Sequence, residues 1–274
     1  MPGIQGVPGI DFSNAGKPIL NRLTGGRSTF TSLLVLSTVH LKGKVVIVTG
    51  GSSGIGLATV NLLLEFGASV VSADINSPAE PSSNPAFSFV QTDVSKWTDL
   101  TTLFKKAKEQ HGRIDHVFAN AGIGPRANYV SLESNADGDL LEPNNVVIDI
   151  NYKSVVNTAS LAIHYLKQNS EGGNIVLMGS STGLQPMRAP DYSSAKAGVL
   201  GFGRSIQRTV KVAGLPIRVN TLAPSWTSSQ VLPDLDGIMK AISHQAQSPV
   251  VVARSAAYLM TTTDREGDVI FLTH

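Results

Sequence analysis

From Leu41 onward, short unbroken apolar runs alternate with longer stretches whose apolar residues recur every three or four positions. Val45-Val46-Ile47-Val48 is the first run, continuous as in a strand covered on both faces. After a glycine-rich turn, 57–66 reads as a helix stopped at Gly67. Val70 to Ala73, ending at Asp74, is the second strand, and Phe87 to Val90, ending near Asp93, the third. A helix over 98–111, closed by Gly112, leads to a strand at 116–119. The pattern then gives a long helix at 146–169, a strand at 174–178, a helix at 192–213 and a strand at 217–220. A helix at 250–260 and a strand at 268–272 complete the order.

Strands separated by helices of this length form repeated βαβ units. The expected fold class is therefore α/β: a Rossmann-type, doubly wound, mostly parallel sheet in three layers (α/β/α). One domain is expected over 41–274. Residues 1–40 are read as a partly flexible extension, because glycine and proline punctuate 1–28 too often for a regular element. Lys17, Arg22 and Arg27 against the lone Asp11 leave a mitochondrial presequence as the lesser alternative there.

Composition narrows the function. The 22 Lys plus Arg against 20 Asp plus Glu leave a net charge of +2, with no electrostatic case for nucleic acid or an acidic membrane. No stretch reaches the about 18 apolar residues of a membrane span. Cysteine is absent, which rules out disulfides, thiolate metal sites and a cysteine nucleophile, and fits a reducing, cytoplasmic location. The six histidines lack metal-ligand spacing, so no metal is expected.

The first turn carries the first chemistry. Thr49 to Gly56 (TGGSSGIG) lies between a strand and a helix, the order a dinucleotide site needs. Gly50, Gly54 and Gly56 permit a tight turn and close approach of backbone to pyrophosphate, with Ser52, Ser53 and Ile55 between them. The helix start offers unpaired N–H groups to the phosphates. Asp74, 18 residues beyond Gly56 and followed by Ile75, is placed to accept from the adenosine ribose hydroxyls. Its charge would repel a 2′-phosphate, and no Arg or Lys stands in the turn or directly after it, so NAD is favoured over NADP. Asp93-Val94 is placed to bracket the adenine, although Asp93 is equally readable as a turn cap.

Together with Asn120-Ala121-Gly122, Asn151, Ser180 and Tyr192-Ser193-Ser194-Ala195-Lys196 (YSSAK), these motifs resemble the short-chain dehydrogenase/reductase family over essentially all of 41–274. The resemblance implies catalysis by Ser180, Tyr192 and Lys196, with Asn151 helping to hold a water in the proton relay. Tyr192 and Lys196, four apart, share one helix face, where the ammonium would favour the phenolate. Tyr192 and Lys196 would also border the cofactor, the lysine on the nicotinamide ribose, alongside Asn120, Ala121 and Gly122. Ser180 is preferred to Ser181, although it lies 12 residues before Tyr192, one fewer than the family's usual spacing. Ala119 stands where the family often has a second asparagine. Pro224-Ser225 replaces the usual Pro-Gly, and Thr227 resembles the family's contact to the carboxamide and pyrophosphate.

The expected activity is NAD-dependent interconversion of a secondary alcohol and a ketone on a small, mainly apolar molecule such as a lipid-like or secondary-metabolism alcohol. The oxidative direction is preferred. A non-redox cyclase or isomerase, or an NAD-holding scaffold, is the alternative. Substrate choice is assigned to loops at 124–145, 184–191 and 225–244, which offer Tyr129, Leu184, Met187, Trp226, Leu232, Leu235 and Met239. Arg126 and Arg188 are the candidates for anchoring a carboxylate. The resemblance further implies a homotetramer, or else a dimer, through the long helices, where Ala195, Ala197, Gly198, Gly201 and Gly203 would allow close contact.

Overall fold

The computed structural model describes residues 41–80, 82–229, 237, 239–240 and 245–272. The N-terminal extension, Leu232 and Leu235 lie outside them. The sheet comprises β1 (Val45–Thr49), β2 (Ser69–Asp74), β3 (Phe87–Gln91), β4 (His116–Ala119), β5 (Gly173–Met178), β6 (Ile217–Pro224) and β7 (Val269–Leu272). Their order is β3-β2-β1-β4-β5-β6-β7, and every neighbouring pair is parallel. The helices are α1 (Gly54–Glu65), α2 (Trp97–His111), α3 (Ser154–Leu166), α4 (Pro190–Val212) and α5 (Pro249–Thr261).

The unbroken apolar runs exist because both sheet faces are covered. Ile47 packs with Leu100, Phe104, Ala159 and Val199 of α2, α3 and α4. Its neighbours Val46 and Val48 point the other way, against Val60 and Leu63 of α1 and Val252 and Ala256 of α5. Alternate residues of one strand therefore feed two cores, as period-two geometry requires.

The winding direction reverses between β1 and β4, which pair directly. At such a switch point the loops leaving the two strands diverge and open a crevice at their carboxyl ends. The glycine turn after Thr49 and the Asn120 segment after Ala119 flank that crevice.

Two expectations need correction. The helix expected over 146–169 begins as a short turn, Val146–Ile148, passes through a π-helical stretch, Asp149–Lys153, and becomes α only at α3. The small residues of α4 also divide by face. Ala195 and Gly203 are buried within the subunit: a Cβ on Gly203 would lie 2.3 Å from Thr221 Oγ1 of β6, and one on Gly198 would lie 3.0 Å from the Tyr152 ring. Only Ala197 and Gly201 face outward, because the 3.6-residue period turns the others toward the sheet and the adjoining helix.

Candidate active site

A cavity of about 660 Å³ opens along the carboxyl ends of the strands, within the range of small-molecule sites. Its lining runs from Asp74, Ile75, Asp93 and Val94, past Gly50, Ser53, Gly54, Ile55 and Gly56, to Asn120, Ala121 and Gly122. It ends at Ser180, Tyr192, Lys196, Pro224 and Thr227. Apart from Ser52 and Asn151, the cavity brings together every site residue expected from the sequence.

The glycine turn is built by close approach. A Cβ on Gly56 would fall 1.9 Å from the Gly50 carbonyl oxygen, so only glycine lets α1 start directly beneath the turn. Gly54 adopts φ 50°, in the left-handed region that side chains disfavour. The N–H groups of Gly50 and Gly51 are taken by the Ala73 carbonyl. It is therefore the start of α1, at Gly54 to Gly56 in the cavity lining, that offers helix N-terminal N–H groups suited to an anionic pyrophosphate. Ser52 does something else. Its N–H donates to Asp74 Oδ2 (3.1 Å) and its hydroxyl to the Asn76 carbonyl (2.7 Å), so it ties the turn to the end of β2.

Asp74 Oδ1 accepts from the Asn76 N–H at 3.3 Å, which fixes the carboxylate at the cavity edge. The cationic lining residues, Arg126 and Lys196, follow β4 and β5 rather than β2. Asp93 is a turn cap: its Oδ1 accepts from the Ser95 N–H (3.0 Å) and hydroxyl (2.6 Å), and Lys96 lies 3.3 Å from its Oδ2. The Ser95 hydroxyl is the main reason its carboxyl titrates below the usual range. Asn120 also has a structural task, donating through Nδ2 to the Thr49 carbonyl (2.9 Å) and the Gly50 carbonyl (3.2 Å).

At the other end of the crevice, Ser180 is buried and caps a 3₁₀ turn, Ser181–Gly183. Its Oγ accepts from the Thr182 N–H (3.2 Å) and the Thr182 hydroxyl (3.0 Å). A serine hydroxyl has two acceptor sites and one donor, so its own O–H remains to donate. Tyr192 lines the same end of the cavity, and the Ser180 hydroxyl acts on its phenol to lower the titration that burial raises. Thr182 therefore orients the serine, a role with no signal in the motif itself.

Lys196 Nζ donates to the Met178 carbonyl at 2.9 Å and lies 5.7 Å from the centroid of the Tyr192 ring. Among the described residues it makes no other hydrogen bond. Burial pushes the Tyr192 phenol up, with Ser180 opposing, and pushes Lys196 down to about 8. The shift of the phenol is thus opposite to the expected lowering, because desolvation dominates and favours the neutral form of both groups. A Cβ on Gly122 would lie 3.6 Å from Lys196 Nζ and 3.2 Å from Asn151 Oδ1, so glycine keeps open the space beside the two.

The Lys196 shift has a measurable consequence. Between about pH 8 and 10.5 the unfolded chain keeps this proton while the folded protein releases it, so folding stability rises with pH across that window. The gain amounts to at most about 3 kcal/mol, from about 1.36 kcal/mol per pH unit. Urea unfolding of Lys196→Met should lack that rise. A variant with the wild-type pH dependence would show that Lys196 is not depressed by burial.

Asn151 is fully buried, and its side chain is committed. Its Oδ1 accepts from the Ile123 N–H and its Nδ2 donates to the Ile123 carbonyl, both at 2.8 Å. A relay through Asn151 would therefore have to use its backbone, which belongs to the π-helical stretch, an irregularity frequent at functional sites.

The substrate loops contribute less than their length implies. Of 124–145, only Gly124, Pro125 and Arg126 line the cavity, whereas Tyr129 is turned out. Met187 and Trp226 line it; Leu184, Arg188 and Met239 do not. Thr227, whose hydroxyl donates to the Ser225 carbonyl at 2.9 Å, reaches the wall through an isolated bridge to Gln247. Phe271, unforeseen from the sequence, joins the lining because β7 ends beside β6, where it pairs with Ala223. Among the described residues no group of His, Cys, Asp and Glu is placed to hold a metal ion, and no helix is long and apolar enough to cross a membrane.

Comparison with known proteins agrees with this geometry. The sequence profile of the short chain dehydrogenase family matches residues 44–237. Short-chain dehydrogenase/reductase ascJ of Acremonium egyptiacum is 47% identical over 235 residues, covering 85% of this chain and 79% of that protein. Short-chain dehydrogenase/reductase prx4 of Penicillium roqueforti is 33% identical over 236 residues, covering 85% and 70%. The mouse 15-hydroxyprostaglandin dehydrogenase [NAD(+)] is 31% identical over 210 residues, covering 72% of each. Among solved structures, the 3-ketoacyl-(acyl-carrier-protein) reductase of Brucella melitensis complexed with NADH superposes with a TM-score of 0.71. It is 24% identical and covers 85% of this chain and 97% of that one, a likeness of fold.

Proposed function

Because the chain belongs to the short-chain dehydrogenase/reductase family, we propose that it is an NAD-dependent oxidoreductase interconverting a secondary alcohol and a ketone. The observation that carries this reading is the Tyr192 phenol, facing the cavity with Ser180 and backed by Lys196, at one end of a crevice whose other end holds the glycine turn and Asp74.

Gly54 to Gly56 would hold the pyrophosphate and Asp74 the adenosine ribose, with Asn120 to Gly122 and Lys196 toward the nicotinamide ribose. When bound, the nicotinamide supplies the hydride acceptor and, in its oxidised form, a positive charge near the phenol. The protein's part is proton and oxygen chemistry. Tyr192 takes the hydroxyl proton in oxidation and returns it in reduction. Ser180, held as a donor by Thr182, stabilises the charge that develops on the substrate oxygen. Lys196 supplies the cation that keeps the phenol's proton exchangeable.

Oxidation of the alcohol is the preferred direction, and the name of the mouse relative, with its hydroxyl-bearing prostaglandin and NAD(+), supports it. Ile123, Pro125, Ile150, Met187 and Trp226 line the remaining wall, which suits a mainly apolar substrate such as a lipid-like secondary metabolite. A cytoplasmic homotetramer, with a dimer as the alternative, is retained on the outward faces of Ala197 and Gly201.

The test is a panel of secondary alcohols (2-octanol, 1-phenylethanol, cyclohexanol and hydroxylated fatty acids) with NAD+, followed by NADH absorbance and product mass. At least one member should yield its ketone. NADH binding without ketone from any member would leave a scaffold role, and product formation without NAD would mean non-redox chemistry.

A further inference from the structure

Asp191 is a buried charge for which the chemistry above has no use. It is 1% exposed and stands in the first turn of α4, immediately before Tyr192. An acid in a first turn complements the helix dipole, and its carboxylate ordinarily serves its own helix. Here only Oδ1 does so, accepting from the Tyr192 N–H at 2.8 Å. Oδ2 reaches a segment 65 residues earlier and accepts from the Arg126 N–H (2.8 Å) and the Ala127 N–H (3.0 Å). Burial raises this carboxyl, but the backbone N–H bonds outweigh it and hold the group below the usual range.

The segment it grips is one wall of the cavity. Ile123, Gly124, Pro125 and Arg126 all face the crevice. Asn151 holds Ile123 at one end, and Asp191 holds Arg126 and Ala127 at the other. Gly124 and Pro125 are therefore strung between two buried polar anchors, the second of which adjoins the reactive tyrosine.

We propose that Asp191 is a positioning residue whose carboxylate locks the 123–127 wall of the substrate pocket to the first turn of α4, setting the spacing between that wall and the Tyr192 phenol. Three converging N–H donors demand an acceptor with two oxygens and no hydrogen. The isosteric Asn must turn its NH2 toward at least one of them. The lock itself is independent of the redox reading, and only its kinetic consequence rests on that reading.

Hydrogen exchange on the full chain tests the lock directly. In Asp191→Asn, with Asp191→Ala as a second variant, the Arg126 and Ala127 amides should exchange at least about tenfold faster, while amides of β1 keep wild-type protection. With NAD+ and the best alcohol of the panel above, kcat/KM for the alcohol should fall about 10- to 100-fold, as misplacement by about 1 Å does, while NADH affinity stays within about twofold. Unchanged exchange at 126–127, or alcohol kcat/KM within about twofold of wild type, overturns the proposal. So does a loss of NADH affinity in step with kcat/KM, which would mean general destabilisation. If the wild type oxidises no alcohol, the redox reading fails and the exchange arm still decides the lock.

Discussion

Tyr192→Phe is expected to lower alcohol turnover about 10²- to 10⁴-fold, the usual contribution of a positioned acid–base group, while NADH binds as to the wild type. The phenyl ring keeps the shape of a side chain packed beside Ser180 and Lys196 and removes only the oxygen that exchanges the proton. Because burial raises the phenol, wild-type oxidation should climb with pH into the alkaline range as the phenolate forms. The residual rate of the variant should lose that climb. Steady-state kinetics across pH, paired with NADH fluorescence titration, reads both effects. A variant retaining more than about a tenth of the wild-type rate would remove Tyr192 from the chemistry.

The second large effect concerns the choice between cofactors. The Asp74 carboxylate is fixed by the Ser52 and Asn76 N–H groups, with no Arg or Lys in the turn or directly after it. A 2′-phosphate placed there would meet an uncompensated like charge, a juxtaposition worth several kcal/mol. NADH should therefore bind at least about tenfold tighter than NADPH. Asp74→Ala should collapse that ratio, by weakening NADH through the lost ribose acceptor and by relieving NADPH. Tighter NADPH binding by the wild type would reverse the assignment of Asp74.

Much of this site was legible because its signals are local. A glycine turn between a strand and a helix specifies backbone conformation within a few residues. Tyr192 and Lys196, four apart, share a helix face wherever that helix lies. The same locality explains the near agreement of element boundaries, as at β4, which spans the expected 116–119. Partnerships between residues far apart in the chain were not legible: Ser52 supports Asp74, and the side chain of Asn151 clamps Ile123. Phe271 was missed because only sheet pairing brings the last strand to the crevice.

The order and period of hydrophobic positions, with the spacing of a few glycines and one Tyr–Lys pair, determined by themselves that this chain forms a doubly wound parallel sheet with a nucleotide crevice. Tertiary structure alone decided which small residues of α4 face outward, how burial shifts Tyr192 and Lys196, and that Asp191 reaches across to Arg126 and Ala127. The division is physical. Backbone conformation and helical or strand period are set by near neighbours, whereas desolvation and hydrogen-bond partnership belong to whatever packing brings through space.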